Sequence, residues 1–267
     1  MSRALIVLML AALAACADST PAEPSSGAAT RVVSLSPAIT ETLVELGLRD
    51  RIVGRTPWCQ GVPELPALGS LTEVDLERMA AAKPDLILLQ RTASGAPPGL
   101  REAAQSRGWR VREIPCASLA DVRALEGRVA ETMGVQPSAV RETEWGEILR
   151  PVASAGARSP AVLLLSAEPA MAIGHDAFLA EAWSAWGGRA LPVARGYPQM
   201  SLEDLFALQP RSILLVGAVD PASALAKACA QRGIAFEGIE DGRLLRPGPA
   251  LREGLRAWRA RLAGEAP

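Results

Sequence analysis

Histidine occurs once in this 267-residue chain, tyrosine once, phenylalanine three times and cysteine four times. A single histidine, His175, rules out a His-rich zinc or heme site, and the spacing of Cys16, Cys59, Cys116 and Cys229 fits no zinc pattern. No phosphate-binding loop and no dinucleotide fingerprint is present. Neither sign of charge dominates, with 28 Lys and Arg against 29 Asp and Glu, so nothing marks a nucleic-acid surface. Lysine is almost missing: Lys83 and Lys227 are the only two, and the arginines that replace it are spread evenly, as solvated surface is.

What is present begins with an N-terminal run, MSRALIVLMLAALAAC, with one basic residue, about a dozen apolar residues and then small ones. It is too short for a membrane span and reads as a secretory signal over residues 1–15. Leu13 to Cys16, LAAC, resembles the bacterial lipobox, which makes Cys16 the lipid attachment point; the other reading is an ordinary signal with an incidental cysteine. After Cys16, Ala17 to Thr30 contain only Ala, Asp, Ser, Thr, Pro, Glu and Gly, which cannot bury a core, so residues 16–30 read as the lipidated cysteine and a disordered tether. The expected location is periplasmic or cell-surface, with membrane contact through the lipid alone.

The remainder is long enough for two small domains, and it contains an ungapped internal copy. Val74 to Leu89, VDLERMAAAKPDLILL, lies over Met200 to Val216, MSLEDLFALQPRSILLV, pairing Leu76 with Leu202, Glu77 with Glu203 and Pro84 with Pro210. Each copy has a short helix, a proline that ends it and a buried strand. Strands and helices alternate on both sides of residues 136–155, which calls for parallel sheets with helices on both faces. The expected fold is therefore α/β, with two Rossmann-like lobes at residues 31–134 and 157–267. Between them, residues 135–156 read as one linking helix. Over Gln136 to Ala155 it would span roughly 30 Å at about 1.5 Å per residue, with a kink near Glu147 caused by Pro151. A single strut of this kind allows little lobe closure.

Ligands of open parallel sheets bind beyond the carboxyl ends of the strands, and the loops there carry the candidates. Trp58 and Tyr197 stand in such loops, one per lobe; they either wall a large, partly apolar ligand or cover their own lobe's rim. Arg195, Gln90 and His175 are candidates for its polar edge, His175 being alternatively a turn cap. Cys59 and Cys116 each follow a strand and are either a disulfide or unpaired thiols near the ligand, whereas Cys229 lies in a small-residue helix and reads as an apolar filler. Trp109, Trp145, Trp183, Trp186 and Trp258 read as packing residues. Glu77 and Glu203, at the starts of equivalent helices, satisfy the helix dipole and, as a pair, suit basic pockets on a dimeric partner.

Taken together, RVVSLSPAITETLVELG, VGRTPWC, LERMAAAKPDLILL and YPQMSLEDLFALQP with ILLVG resemble the cobalamin and ferric-siderophore binding proteins of bacterial ABC importers, nearest to the cobalamin-binding members. The resemblance spans nearly all of the chain after the tether. It implies a helical-backbone, class III solute-binding fold and a monomer that binds a metal chelate between its lobes. It also implies delivery to a permease dimer, without catalysis and without a cofactor of its own. By position, Trp58 and Tyr197 fall on ring-contacting aromatics, and Glu77 and Glu203 on the two glutamates that dock on arginine pockets of the permease. Leu71, Gln90 and Met171 fall where the cobalamin-binding members have further aromatics, so this pocket, with Met171 as a ligand contact, is less aromatic. The rival readings are an exported α/β enzyme with Cys59 or Cys116 as nucleophile, which lacks a base in its own lobe, and a sensor lipoprotein that keeps the fold without transport.

Overall fold

The computed structural model describes residues 29–191 and 194–265; the signal segment, Cys16 and most of the tether lie outside the described residues. The N-terminal lobe is built from β1 (Val32–Ser34), α1 (Pro37–Glu45), β2 (Ile52–Gly54), α2 (Leu76–Ala82), β3 (Leu86–Gln90), α3 (Leu100–Arg107) and β4 (Arg110–Ile114). Its four strands are all parallel, in the order β2-β1-β3-β4. Side chains alternate across this sheet as the pleat requires. Val32, Leu86 and Leu88 enter one core, and Val33, Leu35, Ile87 and Leu89 the core on the opposite face.

The C-terminal lobe repeats the order as β6-β5-β7-β8, with β5 at Ala161–Ala167, β6 at Ala170–Ala172, β7 at Ser212–Leu215 and β8 at Ala235–Gly238. Its helices are α7 (Phe178–Ala185), α8 (Leu202–Ala207), α9 (Ala224–Arg232) and α10 (Pro249–Ala263). One strand departs from the expected all-parallel sheet. β6 lies in what reads as a loop in the sequence, and it pairs antiparallel with β5. With three small or flexible residues, AMA, it has too little pattern to announce a strand.

The internal copy reaches down to single backbone angles. Lys83 and Gln209 occupy equivalent positions, just before Pro84 and Pro210, and they are the two non-glycine residues with positive φ among the described residues, at 47° and 53°. The following proline disfavours right-handed helical geometry at that residue, so the chain leaves α2 and α8 through a left-handed turn that costs about 1–2 kcal/mol without glycine. Lys83→Gly and Gln209→Gly should each stabilise the protein by about 0.5–1 kcal/mol after glycine's own entropic cost, measured as a higher urea midpoint at unchanged slope. A lowered midpoint would mean that the side chain, not the backbone, matters there.

The strut between the lobes is not where the sequence pattern places it. Residues 136–155 form two short helices, α5 (Arg141–Ile148) and α6 (Ala153–Ala157), and Pro151 separates them instead of bending one helix at Glu147. Proline supplies no N–H and holds the preceding residue out of the helical region, and Val152 is extended with φ −133°. The element that joins the lobes is α4 (Leu119–Met133), which opens on a Ser118–Asp121 capping box. Its first turn places Leu119 and Val122 in the C-terminal core with Trp145, Trp183 and Trp258, while Leu125, Val129 and Met133 enter the N-terminal core. One 15-residue helix, about 22 Å long, is thus shared by two cores.

Trp183 stacks on Trp258 at 5.8 Å, Trp186 meets the same ring edge-on at 4.9 Å, and its indole N–H donates to the Ile148 carbonyl at 2.8 Å. The packing role expected for these tryptophans is what the structure shows.

Candidate functional site

Between the lobes lies a cavity of about 320 Å3. The N-terminal lobe contributes the carboxyl ends of three strands. Ser36 to Ala38 follow β1 and start α1, Gln90 closes β3, and Cys116 and Ala117 follow β4. Ser36 is fully buried, and its hydroxyl reaches the Gln90 side chain at 3.5 Å. The opposite wall is Asp176, Ala177 and Phe178 at the start of α7, with Gly196 and Tyr197 from the next loop. The cavity floor carries a direct link between the lobes, the Phe178 N–H donating to the Ala117 carbonyl at 3.3 Å.

Tyr197 is presented by a loop held at two points. The Gly196 N–H donates to Asp176 Oδ1 at 2.9 Å, and the Gly174 N–H to the Gly196 carbonyl at 2.8 Å. Gly174 is required here: a Cβ would stand 2.4 Å from the Ala194 carbonyl oxygen. The Gly196 N–H holds the Asp176 carboxyl below its ordinary range, and His175 and Arg195 add to the effect. Tyr197 is 44% exposed, and its phenol is pushed up by partial burial and by the nearby Asp176 carboxylate.

Of the residues singled out in the sequence, Gln90 and Tyr197 line the cavity. His175 and Arg195 are exposed and outside the lining, each adjacent in sequence to a lining residue. Trp58 is 65% exposed on the loop after β2, on the same carboxyl edge but outside the lining. Met171 is half-buried on β6, bridged to Gln199, and also stands outside it.

The disulfide between Cys59 and Cys116 is not formed; both are buried free thiols, as is Cys229. β2 and β4 are opposite edges of a four-stranded sheet, roughly 14 Å apart at about 4.8 Å per strand, and a disulfide needs Cα atoms within about 7 Å. Cys59 sits against the Thr40 and Thr56 hydroxyls at 3.0 and 3.1 Å. Burial pushes the Cys116 thiol up to about 12, with Asp121 contributing.

Sequence reasoning missed Leu245, Arg246 and Pro247, which bring the entry to α10 into the cavity. Arg246 Nη1 donates to Glu41 Oε1 on α1 at 2.6 Å, and Glu41 Oε2 accepts the Ala250 N–H at 3.2 Å, so a carboxylate of one lobe caps a helix of the other. Burial raises the Glu41 carboxyl, with Arg246 pulling the other way. No strand end announces this segment; the only signal is the Gly-Pro pair that starts α10.

Glu77 and Glu203 are exposed in the first turns of α2 and α8, and neither side chain forms an ion pair among the described residues. Their capping is done by neighbours: Asp75 accepts from the Arg78 N–H, and Ser201 and Asp204 form a reciprocal box.

Residues 32–107 match the model of a family described as periplasmic binding protein. A comparison with curated protein sequences finds no match. Among solved structures, the periplasmic vitamin B12 binding protein BtuF of Vibrio cholerae superposes with a TM-score of 0.66 at 20% identity, covering 90% of this chain and 99% of its own. The periplasmic heme-binding protein BhuT, solved with two hemes, gives 0.67 at 22% identity, covering 89% and 99%. The periplasmic heme-binding protein HutB of Vibrio cholerae gives 0.67 at 16% identity, covering 87% and 98%. The chain has the class III solute-binding fold of these proteins, matched along almost their whole length.

Proposed function

We propose that this chain is the substrate-binding protein of an ABC importer, anchored through a lipid on Cys16 at the periplasmic or cell surface. It captures a bulky metal chelate between its lobes and delivers it to the permease dimer. The cavity carries this reading: it is walled by both lobes, Tyr197 stands over one side, and Gln90 and the start of α1 form the other. The ligand classes are a corrinoid or a ferric siderophore, with heme brought in by the heme-binding proteins of the same fold. Trp58, Arg195, His175 and Met171 act from the rim, where a ligand larger than the cavity would extend. Glu77 and Glu203 dock on the permease as a matched pair.

The thiol-enzyme alternative has less support. With its thiol pushed up to about 12, Cys116 stays protonated at neutral pH. Cys59 is enclosed by hydroxyls, and His175 belongs to the other lobe.

Of the tryptophans, Trp58 is the exposed one, while Trp145, Trp183, Trp186 and Trp258 are buried. Its fluorescence should therefore change on titration with cyanocobalamin, a ferric hydroxamate or hemin. Calorimetry should then show Trp58→Ala and Tyr197→Ala each weakening the bound chelate about tenfold, or ~1.4 kcal/mol. Silence toward all of these chelates would sink the proposal. Unchanged affinity in one variant would remove that ring from the site.

A further inference from the structure

The cavity's charges are already matched within the protein. Arg246 is the cation of the lining, and Glu41 behind it takes one side of the guanidinium at 2.6 Å. Asp176 is the anion of the lining, satisfied by the Gly196 N–H at 2.9 Å and close enough to exposed Arg195 to feel its charge. Both lining charges thus come from the C-terminal lobe; the N-terminal lobe answers Arg246 through Glu41, and Arg195 bears on Asp176 from its own lobe. The rest of the polar lining, Ser36, Gln90 and the Tyr197 phenol, is neutral.

Placing a polyanion within this lining would strip its hydration where the one lining cation, Arg246, is already paired with Glu41, a loss that hydrogen bonds alone do not repay. A neutral ligand edged with amides or hydroxamates meets both donors and acceptors and disturbs neither pair. We infer that the cleft selects a neutral metal chelate with a rim of amide-type donors and acceptors, and rejects multiply anionic chelates, with Glu41 and Asp176 as the selecting charges. This rests on the chelate-binding function proposed above and narrows it to one ligand class.

The test compares two neutral chelates, cyanocobalamin and a ferric trihydroxamate, with two anionic ones, hemin with its two propionates and a ferric tris-catecholate. Calorimetry on the full mature protein should show at least one neutral chelate binding more than about tenfold tighter than either anionic one. Glu41→Gln, which keeps an acceptor for the Ala250 N–H, and Asp176→Asn in the other lobe each remove one anion. Each should move the ratio of anionic to neutral affinity about tenfold toward the anion. An anionic chelate that binds the unmodified protein as tightly as the neutral ones overturns the inference and leaves the transport function standing. Ratios unmoved in both variants overturn the role of the two carboxylates. Failure of all four chelates to bind overturns the chelate-binding function itself.

Discussion

Arg252→Ala should cost about 3–5 kcal/mol of stability, the largest loss expected from any single charged residue here. Arg252 is 7% exposed on α10, and its guanidinium pairs with Glu45 on α1 and stands 3.3 Å from Glu144 on α5 through Nε, near enough for an ion pair though not aligned as a hydrogen bond. Arg141 completes the cluster, donating to Glu126 on α4, to Glu144 at 2.7 Å and reaching Glu45 at 3.2 Å. Three carboxylates and two guanidiniums therefore join four helices behind the cleft. Removing Arg252 leaves three carboxylates on one guanidinium in a largely buried place, and that uncompensated charge, more than the lost contact, sets the cost. Two controls separate charge from packing. Arg252→Met should stay nearly as unstable as the alanine variant, whereas Arg252→Met combined with Glu45→Gln should regain most of the loss.

The same cluster gives a pH dependence. Burial alone would raise the Glu144 carboxyl, yet its hydrogen bond and ion pairing with Arg141, aided by Arg252, bring it below the ordinary value. A depressed carboxylate contributes stability that is complete above its unfolded value and is lost as pH falls through the folded one. Urea midpoints should thus decline on acidification through and below the ordinary carboxylate range, and less steeply in Arg252→Met. A flat profile in the unmodified protein, or an alanine variant within about 1 kcal/mol of it, would show that solvent screens the cluster.

Charge reversal at both Glu77 and Glu203 should abolish stimulation of the cognate importer's ATPase, while ligand affinity stays within about twofold. Both side chains are exposed and remote from the cavity lining, and the helix caps beside them, Asp75 and Ser201 with Asp204, remain. The reversal therefore costs only the dipole term at two helix starts, about 0.3–1 kcal/mol each. The single reversals should each fall between unmodified and double variant, because one lobe still docks. Undiminished stimulation by the double variant would dismiss these two residues as the docking pair. Loss of stimulation together with loss of ligand affinity would point to a fold defect instead, which circular dichroism and the urea midpoint would reveal.

The two-lobe α/β plan was legible because its signals are local. Strand-length apolar runs such as Leu86 to Leu89 and cap residues such as Asp75 and Ser201 act within a few residues of themselves. The repeat was legible for the same reason, down to the paired Pro84 and Pro210, whereas the left-handed turns just before them at Lys83 and Gln209 came only from the structure. Of the cavity, Gln90 and Tyr197 were readable because one closes a strand and the other stands in a polar and aromatic loop of the second lobe. Arg246 and Glu41 were not, since they are far apart in the chain and meet only when α10 docks on α1.

From sequence alone came the alternation of strands and helices, the duplication, the near-neutral charge balance and the single histidine that excludes a His-rich zinc or heme site. Each is a property of composition or of spacing over a few residues. Only the tertiary structure decided which helix is the strut, that Cys59 and Cys116 stay apart, and which charges face the cleft. A helix becomes a strut when its two halves enter two different cores, as Leu119 and Leu125 do on α4. Two strand-end cysteines pair only if their Cα atoms come within about 7 Å, and Cys59 is held against Thr40 and Thr56 beyond β2 while Cys116 follows β4 at the opposite edge of the sheet. These outcomes depend on how elements pack across long separations in the chain, and no local pattern encodes that packing.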